Sequence, residues 1–258
     1  MRVATAAAAL VLLMASPVFA DQVADLISGK LKACQGCDLH GANFKKADLS
    51  GVDLTGANLT DATFHRAKLR GAILTDVKAI GTNFNLADLT LAKMAKGDFT
   101  RSMFYGARMS GVDLSSANLT ETRMQQVQMT SAKLPGAVLD RALVHDAVLN
   151  NCDLSGVSFQ ATNLERTRLA HAKFNGATMY GVSLLDSADG GADFSGATIA
   201  QTDFLHADLR GAKFDGANVS ASRFTTAATD DSTFTGAVLT NNFMPDGRLQ
   251  SQGPSDGE

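Results

Sequence analysis

Ala42-Asn43-Phe44-Lys45-Lys46-Ala47-Asp48-Leu49-Ser50-Gly51-Val52-Asp53-Leu54-Thr55-Gly56-Ala57-Asn58-Leu59-Thr60-Asp61 states one rule four times. A small residue comes first, then Asp or Asn, then a large apolar residue, then two positions held mostly by polar residues or Gly. Stepping by five from Leu39 to Leu239 gives 200/5 + 1 = 41 units, and no insertion or deletion breaks the register. A period of five fits neither the 3.6 of an amphipathic helix nor the 2 of a half-buried strand. Short internal repeats of this kind signal a solenoid.

A second, longer period sits on the first. Phe44, Phe64, Phe84 and Phe104 recur every twenty residues, and so do Phe174, Phe194, Phe214 and Phe234. Twenty residues per coil would place these rings as two interior ladders, about 4.8 Å from coil to coil. About ten coils then make a rod roughly 48 Å long. The small position is needed because four large side chains already fill a narrow cross-section, and overpacking costs about 1–3 kcal/mol per site. Asp and Asn suit the corners because their side chains bond nearby backbone N–H groups, and Gly accepts positive φ there.

The A-[DN]-[LF]-x-x pattern, as in Ala57-Asn58-Leu59-Thr60-Asp61 and Ala207-Asp208-Leu209-Arg210-Gly211, resembles the pentapeptide-repeat family over about four-fifths of the chain. The resemblance implies an all-β fold, a right-handed quadrilateral β-helix with four pentapeptides per coil. The large and small positions would point inward and the other three outward. Some members of that family mimic DNA in shape and charge, bind type II topoisomerases and so protect cells from quinolones. This chain departs from them in its apparent export signal, its mild acidity and its lack of an apolar C-terminal dimerisation segment.

The ends do not follow the rule of five. Residues 1–20 read as a secretory signal peptide: Arg2, an apolar run over Ala4–Ala15 too short to span a membrane, and Val18-Phe19-Ala20 as a cleavage site. The expected location is therefore the periplasm or the medium, with no integral membrane segment in the mature chain. Residues 21–33 carry Val23, Leu26, Ile27, Lys30 and Leu31 at helical spacing, which predicts a short α-helical cap over the first coil. The repeats are expected over 34–243. Residues 244–258, rich in Gly, Ser, Gln and Pro, read as a disordered tail.

Charge is close to balance. Of 23 basic residues only Arg2 lies within 1–20, leaving 22 against 26 acidic ones beyond it. Such a surface is expected to recruit no nucleic acid. The expected partner is another protein, and end-to-end stacking of two solenoids is an open route to a homodimer.

Few residues suggest chemistry. Cys34-Gln35-Gly36-Cys37 lacks a thioredoxin-like setting for a redox pair, lacks the His that a c-type haem needs, and has only His40 nearby as a further zinc ligand. In an oxidising compartment a local Cys34–Cys37 disulfide closing the first coil is the preferred reading, with a metal or redox role as the remaining alternative. Cys152 falls on a small inward position and reads as a buried thiol. His40, His65, His145, His171 and His206 all fall on outward positions without clustering. No catalytic residue, cofactor site or metal site is expected, and the chain reads as non-enzymatic.

Two units break the core rule: Asp189 and Thr229 hold large inward positions. Burying an unpaired carboxylate is costly, so the backbone is expected to bulge at Asp189 and turn it to water. A cation held by Asp186, Asp189 and Asp193 is a minor alternative. Ala79, Thr82 and Gly97 are milder departures that a narrower coil would absorb. Among outward residues, Lys45, Lys46, His65, Arg66, Leu86, Tyr105, Leu185 and Leu205 share the edge that follows the Phe44 column, and they form the candidate interaction face.

Overall fold

The computed structural model describes residues 17–250. From Ala33 paired with Asp53 to Arg223 paired with Phe243, each coil touches the next through parallel bridges between residues twenty apart. The 210 residues between Ala33 and Phe243 make a little more than ten coils. Most bridges are single. On one face they lengthen into a five-stranded parallel sheet covering four turns: β1 (Ser158–Gln160), β2 (Thr178–Tyr180), β3 (Thr198–Ala200), β4 (Asn218–Ser220) and β5 (Val238–Thr240).

Each unit closes on a tight corner. Leu39 O accepts from Ala42 N at 3.1 Å, and Gly41 between them has φ +67°. A positive φ at the third residue of a hydrogen-bonded turn is the type II arrangement that favours Gly. The Asp or Asn before the corner accepts the backbone N–H two residues on, as Asp53 Oδ1 does from Thr55 N at 3.0 Å.

The interior matches the two expected aromatic ladders. Phe44, Phe64, Phe84 and Phe104 stack at 4.9, 5.0 and 5.1 Å between centroids, and Phe174, Phe194, Phe214 and Phe234 at 4.6, 4.8 and 4.8 Å. Phe99 takes up space beside Gly97: a Cβ on Gly97 would lie 2.5 Å from its ring, which meets Phe84 and Phe104 edge-on. Buried hydroxyls at the small positions donate to main-chain carbonyls, some in their own coil, as Thr122 Oγ1 does to Leu119 O at 2.7 Å, and some in the neighbouring one. Thr82 Oγ1 donates to Leu59 O at 2.7 Å, and Thr162 Oγ1 to Leu139 O at 2.8 Å.

Both ends differ from expectation. Helix α1 spans Pro17–Ile27 rather than 21–33; it stops at Ser28-Gly29, where Gly29 has φ +73° and ends the last turn. Leu26 is buried, and Val23 and Leu31 pack against the core, so the capping contacts are those expected. Ala33 has already joined the first bridge. The expected signal peptide lies mostly outside the described residues, and α1 crosses the Ala20–Asp21 junction. At the far end, residues 244–250 are not a loose tail. β6 (Asn242–Phe243) pairs antiparallel with β7 (Leu249–Gln250) around Pro245-Asp246-Gly247, with Gly247 at φ +79°. An Asp-Gly turn between two apolar residues is a hairpin signal. The remainder of the expected tail, 251–258, lies outside the described residues.

Asp189 overturns its expectation more sharply. The backbone does not bulge: Asp189 N donates to Asp208 O at 2.9 Å, as in every neighbouring coil. The carboxyl stays inside and fully buried. The ladder bonds on both sides hold the register, so turning the side chain outward would break several of them.

Candidate interaction face

The expected edge exists but is interrupted. Lys45, Lys46 and Arg66 are exposed, His65 half-buried, and Leu86 and Tyr105 are 40% and 43% exposed. Leu185 and Leu205 lie on the same edge but are only half-exposed, and Leu185 is four coils, about 19 Å, beyond Tyr105. Between them stands an ionic cluster. Arg166 donates to Asp146 at 2.8 Å and His145 Nδ1 lies 2.7 Å from it; the Arg166 and His145 contacts hold that carboxyl down at about 2. Lys46, Arg66 and Leu86 follow one another on consecutive coils, so the basic residues adjoin Leu86 and stand apart only from Leu185 and Leu205.

The face beside this edge carries the denser group. Its central column, read every twenty residues, runs Asn83, Met103, Arg123, Leu143, Asn163. Three consecutive coils therefore carry long side chains where neighbours carry Asn. Two adjoining depressions result. One, of about 360 Å³, lies between Met103, Tyr105, Arg123, Gln126 and His145. The other, of about 470 Å³, lies between Arg101, Met103, Glu121, Arg123 and Leu143, with Arg141 at its rim. Arg123 and Met103 belong to both.

Local contacts fix the walls. Tyr105 Oη donates to Gln126 Oε1 at 2.9 Å, and Tyr105 N donates to Asn85 Oδ1 at 2.8 Å. Arg141 Nε donates to Glu121 Oε1 at 3.0 Å. Among the described residues, Arg101 and Arg123 have no carboxylate within ion-pair distance. Composition alone does not reveal this cluster; reading position 83 in steps of twenty does.

The remaining candidates separate. Cys34 and Cys37 close one corner with their Cα atoms 5.4 Å apart, and Cys34 is buried. Cys152 is buried, its thiol donates to Met129 O, and burial pushes it up to about 12. Asp186 pairs with His206, Asp193 accepts from Ser195, and Asp189 is sealed inside, so these three carboxylates do not converge. Ser187 Oγ donates to Asp189 Oδ2 at 2.6 Å, Oδ1 has no partner, and burial pushes the carboxyl up to about 7. Thr229, near the open end, is half-exposed and its carbonyl accepts from Ser232 N.

The pentapeptide-repeat family model matches in eight copies, over residues 37–76, 82–120, 107–146, 147–184 and 190–225. The chain belongs to the pentapeptide-repeat family. Its fold is the right-handed quadrilateral β-helix of that family, whose solenoids are in general structural or interaction proteins. Among solved pentapeptide-repeat structures it is similar to HetL, involved in heterocyst differentiation regulation in the cyanobacterium Nostoc sp. strain PCC 7120. That pair is 24% identical, with 89% of this chain and 98% of HetL covered and a TM-score of 0.44. A trypsin-treated form of QnrB1, a plasmid-mediated fluoroquinolone resistance protein, is 18% identical, with 63% and 88% covered and a TM-score of 0.49. A pentapeptide repeat protein of the Arabidopsis thaliana thylakoid lumen is 24% identical, with 48% and 65% covered and a TM-score of 0.13. No curated protein matches the chain.

Proposed function

We propose that this pentapeptide-repeat protein is an exported, non-enzymatic binding protein that offers a rigid solenoid face to another protein. The observation carrying this reading is the unbroken register of bridges from Ala33 to Phe243. No loop interrupts it to build a catalytic pocket, and solenoids bind through extended surfaces. Export rests on the sequence of residues 1–20, and the oxidised state of Cys34 and Cys37 follows from an oxidising compartment. If two copies stack end to end, the C-terminal end is the one available. Leu26 buries α1 against the first coil, whereas Val238, Phe243 and Leu249 stay exposed at the last.

Cell fractionation with intact-mass analysis tests the reading. A periplasmic or secreted species beginning at Asp21 and two mass units light is the expected result. A full-length cytoplasmic protein that inhibits gyrase would replace it with the topoisomerase-binding alternative. Cys34→Ser should lower stability by about 2 kcal/mol, the entropy of so short a loop, without removing an activity. Loss of a turnover in that variant would favour the redox alternative.

A further inference from the structure

We propose that the two depressions flanking Arg123 form the docking site, and that its occupant is an extended acidic segment of a partner protein. This rests on the binding-protein reading above and specifies where and what such a protein binds. Arg101 and Arg123 bring two cations without carboxylate partners to one face of a chain whose formal net charge is −3. Arg141 is neutralised by Glu121 at the rim. Exposed guanidinium groups of this kind take carboxylates in a two-pronged fit.

The surroundings of Arg123 narrow the class. Met103 is common to both depressions, Leu143 lines one and Tyr105 the other. Tyr, Met and Arg are the residue types enriched at protein interfaces. A nucleic acid would need a longer basic track, since its affinity comes from many phosphate contacts. In an extended segment, side chains at i, i+2 and i+4 share one side and span about 13 Å. The occupant therefore has an apolar–x–acidic–x–apolar pattern: the carboxylate sits on Arg123 and an apolar side chain enters the depression on either side. Rigidity favours this mode, because the face is already ordered before the segment arrives.

The probe is a synthetic peptide with leucine, glutamate and leucine at alternating positions between serines, paired with a control in which lysine replaces glutamate. Titrated by NMR into the full mature chain, the acidic peptide should shift resonances of Met103, Tyr105 and Leu143, and the control should not. Arg123→Glu should weaken the acidic peptide at least tenfold and admit the lysine control. Equal response to both peptides, or shifts confined to another face, would overturn the site. A photo-crosslinker placed in cells at Leu143, and separately at Thr178 on the adjacent wall less than two coils further along, separates this failure from that of the general reading. Capture of an acidic segment at Leu143 supports both. Capture of another protein at Thr178 alone leaves the binding protein standing and removes this site. A second copy of the chain at Leu143 removes the proposed occupant, and no capture at either position sinks both.

Discussion

The column through Phe84 and the column through Asp189 share one backbone and have opposite interiors. Phe84 N donates to Met103 O at 2.7 Å, and Asp189 N to Asp208 O at 2.9 Å. Both side chains are fully buried. Phe84 is stacked between Phe64 and Phe104, whereas Asp189 has one hydroxyl donor and an oxygen with no partner. The main-chain ladder thus carries a unit whose core residue opposes it. In a solenoid each coil leans on its neighbours, so one poor coil is held in register by the good ones on either side.

The largest effect should come from breaking the good column. Phe84→Ala removes a ring flanked above and below and should cost about 3–5 kcal/mol in urea unfolding. A loss below about 1 kcal/mol would mean the stacking is incidental. Next comes repairing the poor column. A carboxyl whose folded value is raised from 3.8 to about 7 favours folding least when ionised. Its penalty is absent below about pH 4, grows as pH rises towards 7, and is constant above. Asp189→Leu, matching Leu169 and Leu209 one coil either side, should therefore stabilise by about 4 kcal/mol more at pH 8 than at pH 4. Asp189→Asn should remove the pH dependence while keeping the bond to Ser187. An unchanged pH profile in both variants would show that water reaches the carboxylate. The smallest effect probes the corners: Ala161 has φ +51°, and Ala161→Gly should gain less than about 1 kcal/mol, read as a small rise in Tm.

Period and spacing were enough to read a solenoid with coils of twenty, because every unit votes for the same geometry and the Phe44 and Phe174 ladders repeat the vote; its right-handed, four-sided form is what the resemblance to the family implies. The places misread are those where local signals compete. At Asp189 the cost of a buried carboxyl pointed outward, but it is a single penalty set against ladder bonds in two neighbouring coils, and protonation lowers it. At the N-terminus the helical spacing of Lys30 and Leu31 extended α1 past Gly29, which ends it. At the C-terminus Pro245-Asp246-Gly247 carried a turn signal that composition masked. The face around Arg123 was hardest to see. Its residues sit twenty apart, and only their stacking makes Met103, Arg123 and Leu143 neighbours.

Each unit is five residues long on all four sides, which makes the chain divisible in two different ways. Excising twenty residues from the middle would remove one storey and shorten the rod by about 4.8 Å, leaving every face above it aligned with the same face below. Excising five would keep each inward residue inward, yet turn everything beyond the cut by a quarter. Anything that reads one side of this protein would then meet one wall for half its length and the adjacent wall for the rest.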